Sequence, residues 1–295
     1  MHVPVHDGID RLIKSYKAVI CDIWGVVHNG VAPYPGLLDC LARVRSAGLP
    51  VLLLSNAPRP SQYIREFLTG IGVTTAYYDH IVTSGDVTVA AINRRADAWH
   101  AGLGSRAYHL GPDRCRTLLG HLDCGEAPFE EADFIVNTGL VDDETETVDD
   151  YRDMLARALA RKLPMVCANP DVVVMRGDRM IPCAGALARA YDEIGGNVFQ
   201  HGKPYASAFD MAFERLGGIS RGHIVMVGDG LETDIKGAAR AGIDSVWIAG
   251  GIHAEEVGYT PGGRLDEARV RAACEAAGAR PVAAMTSLVW RGPEA

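Results

Sequence analysis

Several features of other protein classes are missing from this sequence. It contains no stretch of about 18 apolar residues, so no segment is predicted to span a membrane. The first 17 residues include no apolar run of signal-peptide length. Lys and Arg, 29 in all, are outnumbered by 37 Asp and Glu and form no basic stripe. We therefore expect a cytoplasmic protein that binds neither a nucleic-acid polymer nor a membrane.

The cysteines give no sign of a disulfide framework. There are seven of them, scattered along the chain, and no two are spaced as C-x-x-C. This pattern argues against a disulfide-rich or zinc-binding fold and fits a reducing compartment. Apolar residues make up 48% and charged residues 22%, which is typical of globular proteins. A length of 295 residues favours two domains.

Short apolar runs alternate with helical periodicity at both ends of the chain. The predicted strands there are Ala18–Cys21, Val51–Leu54, Ile81–Thr83, Ile224–Val227 and Ser245–Ala249. Helical spacing of apolar residues separates them, as in Leu37, Leu38, Leu41 and Val44. Strands that alternate with helices predict a parallel sheet with helices on its faces.

The middle of the chain repeats this pattern with its own elements. Tyr108–Leu110, Phe134–Val136 and Met165–Cys167 are predicted strands, and a helical stripe follows the second of them. This block has enough apolar residues for a core of its own. We expect an α/β protein in which residues 86–197 form an inserted α/β domain. Residues 1–85 and 198–295 would form the two halves of the other domain.

Polar side chains end three of the predicted core strands. They are Asp22, Ser55 and Asp229. Because ligands of open parallel sheets bind at the carboxyl ends of the strands, we expect these groups on one rim. Carboxylates close together repel each other unless a cation lies between them, and oxygen ligands favour Mg²⁺ over Zn²⁺. Asp234, predicted in the first turn of the next helix, is a further candidate ligand or helix cap.

A phosphate group bound at such a rim needs positive charge. Lys203 is the candidate, because it lies in His201-Gly202-Lys203-Pro204 just before a predicted helix. Pro204 suits the first position of that helix.

Four segments, in this order, resemble the motifs of the haloacid dehalogenase-like superfamily. They are Cys-Asp-Ile-Trp-Gly-Val-Val at Asp22, Ser55-Asn56, Gly-Lys-Pro at Lys203, and Gly-Asp-Gly-Leu-Glu-Thr-Asp from Gly228 to Asp234. The resemblance covers residues 17 to 253. The insertion between the second and third motifs is similar to that of the subclass with a large α/β cap. The resemblance implies a Rossmann-like, doubly wound core with a cap that selects a small phosphorylated metabolite, such as a sugar phosphate or nucleotide.

The resemblance also implies a role for each matching residue. Asp22 would be the nucleophile of a phosphatase and would form an aspartyl-phosphate. Asp22, Asp229 and the backbone carbonyl of Trp24 would hold Mg²⁺, with Asp234 nearby. Ser55 and Asn56 would bind the phosphoryl oxygens, and Lys203 would neutralise developing charge.

The sequence departs from the family pattern at Trp24. Phosphatases of this family have a second Asp there, which protonates the leaving group and then activates water. Indole has no titratable proton near neutral pH, and general acid–base catalysis is typically worth about 10²- to 10⁴-fold. His28 is a candidate replacement, because its ordinary pKa of about 6.5 suits the task. A leaving group that needs no proton is the other solution.

The remaining candidate residues concern the substrate. Trp24 is expected either to pack at the interface with the cap or to stack on a substrate ring, and Arg59 is a candidate for a second anionic group. Asn169 and Asp171, in Ala-Asn-Pro-Asp, are candidate cap contacts. Similar proteins form dimers through the cap, so a homodimer is expected here.

Two other functions remain open. A catalytically weak metabolite-binding or regulatory protein would account for Trp24. A dehalogenase-like displacement at carbon also needs no second Asp. Such an enzyme needs no metal, however, whereas the pair Asp229 and Asp234 favours a metal site.

Overall fold

A computed structural model describes residues 2–176, 179–260 and 262–291 of the chain. These residues divide into two compact units. The first unit comprises residues 1–55, 65–82 and 208–295, and the second comprises residues 56–64 and 83–207. Among the described residues, none of the helices has both the length and the apolar character that crossing a membrane requires.

The strands, in chain order, are β1 (Ala18–Asp22), β2 (Val51–Ser55), β3 (His80–Thr83), β4 (Arg106–Leu110), β5 (Gly125–Glu126), β6 (Phe134–Asn137), β7 (Met165–Cys167), β8 (Val173–Arg176), β9 (Arg179–Pro182), β10 (Val198–Gln200), β11 (Ile224–Gly228), β12 (Asp244–Ile248) and β13 (Ala283–Met285).

The α-helices are α1 (Leu37–Ser46), α2 (Ser61–Gly70), α3 (Ser84–Arg94), α4 (Ala98–Ala101), α5 (Arg152–Ala160), α6 (Ala184–Glu193), α7 (Ala206–Arg215), α8 (Lys236–Ala241) and α9 (Glu267–Ala277). A π-helical turn, Leu231–Ile235, precedes α8.

The first unit is built on a sheet in the order β13-β12-β11-β1-β2-β3. β1 pairs in parallel with β11 on one side and with β2 on the other. Every residue of these three strands is buried, which explains why they are continuous apolar runs in the sequence. The chain runs outward in opposite directions from β1, so the sheet is doubly wound, as predicted, with its switch point beside β1.

The second unit has its own parallel sheet, in the order β10-β7-β6-β4-β5. One core forms on the face of α5 and α6, around Leu155 and Leu187. Another forms on the opposite face, around Ile92 and Leu118. The strands predicted in the middle of the chain are therefore confirmed as β4, β6 and β7.

The junctions between the units differ from those expected at 85/86 and 197/198. Val198–Gln200 belongs to the second unit, because it pairs in parallel with Met165–Cys167. At the other junction, the Asp86 carboxylate accepts a hydrogen bond from the Ser61 N–H at 2.9 Å, and Gly85 packs against the backbone of Pro58. Because of these contacts, residues 56–64 and 83–85 belong to the second unit.

Candidate active site

Three carboxylates meet at the carboxyl edge of the first unit's sheet. Asp22 ends β1, Asp229 directly follows β11, and Asp234 lies in the π-helical turn. One oxygen of each lies within 4.8 Å of the others, and all three side chains are buried. The structure thus brings together the three acidic residues that the sequence indicated.

Strand register explains why Asp22 has functional groups on both sides. Asp22 pairs with Leu54 of β2, so Ser55 lies one residue further along the same edge. On the other side, Cys21 pairs with Val227, which places Asp229 two residues beyond this pair. In parallel strands these ends share one rim.

The backbone approaches the carboxylates closely where glycine allows it. Gly25 has a φ of +85°, and a Cβ built on it would lie 2.0 Å from Oδ2 of Asp229. A Cβ on Gly251 would lie 2.3 Å from the same oxygen. A side chain at either position would displace Asp229, so both glycines shape the site.

Backbone and indole N–H groups fix the orientation of the acidic residues. The Ile252 N–H donates to Oδ2 of Asp229 at 3.0 Å, and the Trp247 Nε1–H donates to the Asp229 carbonyl at 2.9 Å. The Gly230 N–H donates to Oδ2 of Asp234 at 3.0 Å. Gly251 and Ile252 were not predicted as site residues. The Gly250-Gly251 pair after β12 was the available signal, because this strand also ends at the functional edge.

Asp234 does not lie in the first turn of an α-helix, as the sequence predicted. The N–H groups of Asp234 and Ile235 both donate to the Gly230 carbonyl, at 2.9 and 3.1 Å, so the turn is wider than an α-turn. Single π-turns occur frequently at functional sites. Here the wide turn accompanies an Asp234 side chain that is 1% exposed and grouped with Asp22 and Asp229.

The donor set fits a hard divalent cation. Three buried carboxylates within 4.8 Å repel one another strongly unless positive charge lies among them. Their donors are all oxygen, the ligand type of Mg²⁺ rather than of Zn²⁺. A magnesium site therefore satisfies both the geometry and the charge of the cluster.

Trp24 and His28 pack together on the loop after β1. Their rings meet edge to face with centroids 5.2 Å apart, and His28 meets Phe67 in the same way at 5.1 Å. A Cβ on Gly30 would lie 2.9 Å from the Trp24 ring, so the indole covers this glycine. Trp24 therefore contacts its own loop through His28 and Gly30.

The environment of His28 does not suit a general acid. The side chain is 2% exposed, and burial lowers the pKa of His28 to about 4. Its Nδ1 accepts a hydrogen bond from the Gly30 N–H at 2.8 Å, which is the contact of a neutral ring. At neutral pH the imidazole holds no acidic proton to donate. The structure gives no support to the acid role that the sequence suggested for His28.

In the second unit, Asn56 holds the backbone of Lys203. Its Oδ1 accepts from the Lys203 N–H at 2.7 Å, and its Nδ2 donates to the Lys203 carbonyl at 3.1 Å. The same Nδ2 donates to Asp171 at 2.8 Å. Both hydrogens of the side-chain amide are used, so the side chain of Asn56 positions the backbone of Lys203. Its contact with the phosphoryl group stays a prediction.

Asn169, Asp171 and Arg59 also lie in the second unit. Oδ1 of Asn169 accepts from the Asp171 N–H at 3.0 Å, so Asn169 shapes the turn that carries Asp171. Arg59 lies with its guanidinium 5.1 Å from the centre of the Tyr63 ring. Its buried Nε has no hydrogen-bond partner among the described residues.

Comparison with known proteins agrees with this geometry. Residues 19–124 match a family model described as haloacid dehalogenase-like hydrolase, and residues 200–267 match a second, HAD-hydrolase-like model. A crystal structure of a haloacid dehalogenase-like hydrolase from Brucella suis 1330 is 39% identical. It superposes with a TM-score of 0.83 over 97% of this chain and 100% of that one. This chain belongs to the haloacid dehalogenase-like hydrolase family.

Two other relatives within this family have named activities. Ribonucleotide monophosphatase NagD of Escherichia coli (strain K12) is 27% identical over 240 residues, which cover 81% of this chain and 89% of NagD. Glycerol phosphate phosphatase from Mycobacterium tuberculosis, solved in complex with magnesium, is 25% identical with a TM-score of 0.64. That match covers 84% of this chain and 73% of the phosphatase. The named relatives are thus phosphatases, one of them seen with magnesium.

Proposed function

We propose that this protein is a Mg²⁺-dependent phosphohydrolase that acts on a small phosphorylated metabolite. The convergence of Asp22, Asp229 and Asp234 at the carboxyl edge of the first sheet carries the proposal. A cation held by three buried carboxylates attracts an anionic group such as a phosphate. The relatives' names, a ribonucleotide monophosphatase and a glycerol phosphate phosphatase, support the same substrate class.

Asp22, Asp229 and the backbone carbonyl of Trp24 would hold the metal, with Asp234 acting directly or through water. When bound, Mg²⁺ supplies positive charge that aligns and polarises the phosphoryl group. A backbone carbonyl is available whatever the side chain, so Trp24 does not remove this ligand.

Asp22 is the proposed nucleophile. One of its carboxylate oxygens attacks phosphorus, and the bond from phosphorus to the leaving oxygen breaks as the bond to Asp22 forms. Water then attacks phosphorus, which releases inorganic phosphate and restores Asp22. The Ser55 hydroxyl would donate a hydrogen bond to a phosphoryl oxygen, and the Lys203 ammonium would neutralise charge as it develops. The assignment of Lys203 rests on its sequence motif.

The leaving group decides how fast such a site works. Trp24 cannot protonate a departing alkoxide, and the neutral, buried His28 is poorly suited to replace it. A leaving oxygen of low pKa departs as an anion without a proton. We propose that aryl, acyl or pyrophosphoryl leaving groups are favoured over the alkoxide of an ordinary sugar phosphate.

Two side chains are proposed to contact the rest of the substrate. Arg59 has a buried Nε without a partner among the described residues, which suits a second anionic group. Trp24 would offer the face of its indole to a substrate ring. Asn169 and Asp171 are proposed as further substrate contacts. A homodimer is the proposed assembly, to be checked by light scattering.

Phosphate release by purified protein tests the function. We expect release from aryl and acyl phosphates with Mg²⁺ that stops with EDTA and falls by at least about 10⁴-fold in Asp22→Asn. The exposed carboxylate of Asp149 provides the control, since Asp149→Asn should retain full activity. Release that persists with EDTA or in Asp22→Asn would overturn the proposal. Halide release unaffected by EDTA would instead indicate a dehalogenase.

A metabolite-binding protein with little turnover is the second candidate. The packing of Trp24 against His28 favours it, because the loop carries no acid in the usual place. Tight binding of a phosphorylated metabolite, with no phosphate release over hours from any of the three ester classes, is the result that this candidate predicts.

A further inference from the structure

Two buried histidines in the second unit have no part in the proposed reaction. His100 lies in the short helix α4, and His201 directly follows β10. Each side chain is 1% exposed. Their Nε2 atoms lie 3.1 Å apart, and their rings stack with centroids at 5.1 Å. Two imidazoles buried in direct contact are costly unless their hydrogen bonds are satisfied.

Each histidine has a second polar partner, so the pair belongs to a chain of four groups. Nδ1 of His100 lies 2.6 Å from Oδ2 of Asp97. Nδ1 of His201 lies 3.4 Å from the Ser207 hydroxyl. Asp97 is itself fixed as the N-cap of α4, since its other oxygen accepts from the N–H groups of Trp99 and His100.

With both rings neutral, one arrangement of protons satisfies the whole chain. The Asp97 carboxylate can only accept, so His100 carries its proton on Nδ1. Nε2 of His100 then accepts from Nε2–H of His201, and Nδ1 of His201 accepts from the Ser207 hydroxyl. Burial lowers the pKa of His201 to about 3, which agrees with a neutral ring there.

The same contacts fasten β10 to α4. β10 is a three-residue strand at the edge of its sheet, where it pairs with β7. Beside it, the Trp99 Nε1–H donates to the Asn197 side chain at 2.8 Å. Phe199 packs against Trp99 at 5.1 Å and against His100 at 4.6 Å. α4 therefore contacts the residue before β10, the strand itself and the residue after it.

The segment that follows β10 carries Lys203. Two more contacts hold its start, because the His201 N–H donates to the Cys167 carbonyl at 3.0 Å and the Ser84 hydroxyl donates to the His201 carbonyl. Lys203 lies two residues further on and is 2% exposed. The His201 side chain thus links α4 to the position two residues before Lys203.

We propose that Asp97, His100 and His201 form a positioning relay that fixes the segment carrying Lys203. The proposal rests on the role of Lys203 in the proposed function. A short edge strand alone leaves the following residues free to shift, and a displacement of about 1 Å in a catalytic group can cost about 100-fold in rate. The relay restrains that shift through a hydrogen bond to the His201 ring.

Three substitutions of His100 separate packing from hydrogen bonding. His100→Phe keeps a ring against Phe199 and removes both hydrogen bonds. His100→Gln can place an acceptor near the former Nε2, towards His201, whereas His100→Asn can place a donor near the former Nδ1, towards Asp97. With 4-nitrophenyl phosphate and Mg²⁺, we expect kcat to fall about 100-fold in the Phe and Asn variants, with KM unchanged. The Gln variant should stay within about threefold of wild type.

A double-mutant cycle shows whether the effect acts through Lys203. In the Lys203→Ala background, His100→Phe should change kcat by less than about twofold, because the group it positions is gone. An equal loss of kcat in both backgrounds would mean a general structural role and would overturn the proposal. A kcat for His100→Phe equal to that of wild type would also overturn it.

Two measurements by nuclear magnetic resonance do not need activity. Imidazole ¹⁵N shifts should place the proton of His100 on Nδ1 and that of His201 on Nε2. Hydrogen exchange of the Lys203 amide should be about tenfold faster in His100→Phe than in wild type or His100→Gln. Other tautomers, or equal exchange in all three proteins, would overturn the relay. If the wild type releases no phosphate, the proposed function fails, and these measurements still decide the relay.

Discussion

In the first unit, backbone groups hold acidic side chains, whereas in the second unit side chains hold the backbone around a lysine. Asp229 and Asp234 accept hydrogen bonds from N–H groups of the loops beside them. Lys203, by contrast, has its N–H and carbonyl bound by the side chain of Asn56. His201, just before it, is bound by the side chain of His100.

This difference shows how each group is made available for chemistry. A carboxylate that receives backbone N–H groups keeps its orientation, which suits a metal ligand. A lysine whose backbone is fixed by side chains has the position of its main chain set by contacts that do not use its ammonium group. Substitutions of Asp22 or Trp24 therefore test the chemistry, whereas substitutions of Asn56 and His100 test the positioning of Lys203.

The largest expected effect comes from supplying the missing acid in the first unit. Trp24→Asp should raise turnover of alkyl phosphates by about 10²- to 10⁴-fold, because the new carboxyl can protonate the alkoxide. The rate at which 4-nitrophenyl phosphate phosphorylates the enzyme should change far less, because its leaving group needs no proton. Rapid-quench rates of phosphorylation over leaving groups of graded pKa measure this effect.

Trp24→Asn is the matched control, since it has the size of Asp without a titratable proton. We expect no gain on alkyl phosphates in this variant. An equal gain in the Asn and Asp variants would show that removing the indole, rather than adding an acid, had opened the site.

The next effect concerns the second unit. Asn56→Ala leaves the buried N–H and carbonyl of Lys203 without their side-chain partner, which should lower the free energy of unfolding by about 2 kcal/mol. The kcat should fall as well, because the backbone of Lys203 is no longer fixed. Urea unfolding and phosphate release measure the two effects.

Asn93→Ala is the control within the same unit. The side chain of Asn93 also forms hydrogen bonds with backbone groups, the His121 carbonyl and the Asp123 N–H, but these contacts are exposed. We expect a loss of less than about 1 kcal/mol and unchanged activity. Equal losses of activity in both variants would contradict the positioning role of Asn56.

The smallest effect on activity is expected at His28. Burial lowers the pKa of His28 to about 4, so between about pH 4 and 6.5 the unfolded chain binds a proton there that the folded chain does not. Stability is therefore lost as pH falls through this window, by about 3 kcal/mol at pH 4 relative to pH 7. In His28→Phe this part of the pH-dependent loss of stability should be absent, and kcat should stay within about tenfold of wild type.

Urea unfolding from pH 7 to pH 4 measures the predicted difference, with exposed His2→Phe as the control. A pH-dependent loss in His28→Phe as large as in wild type would contradict the buried, neutral state. A kcat reduced by about 10²-fold or more would restore His28 as the replacement acid.

The sequence predicted most of the first unit's site because its signals are local. A buried strand is a continuous apolar run, and the residue after it lies on the functional edge, so Asp22, Ser55 and Asp229 could be placed together. The wide turn at Asp234 was not predicted, because a π-turn has no distinct pattern of apolar residues. Its geometry depends on how Gly230 is bonded in the folded chain.

The second unit was harder to predict because its contacts join distant residues. His100 and His201 are 101 positions apart, and Asn56 and Lys203 are 147 apart. No periodicity connects such pairs, so neither contact was predicted. The junction near residue 198 differed for a similar reason, since only the pairing of Val198–Gln200 with β7 shows to which sheet it belongs.

The attack of Asp22 on phosphorus can be observed directly. Without the second Asp, activation of the water that breaks the acyl phosphate should also be slow, so the phosphorylated enzyme should accumulate. Acid-quenched protein, mixed with 4-nitrophenyl phosphate and Mg²⁺, would be digested and analysed by mass spectrometry. The account predicts one added phosphoryl group on Asp22 and none in Asp22→Asn or with EDTA. Phosphate release in which Asp22 never becomes phosphorylated, or phosphorylation at another residue, would contradict it.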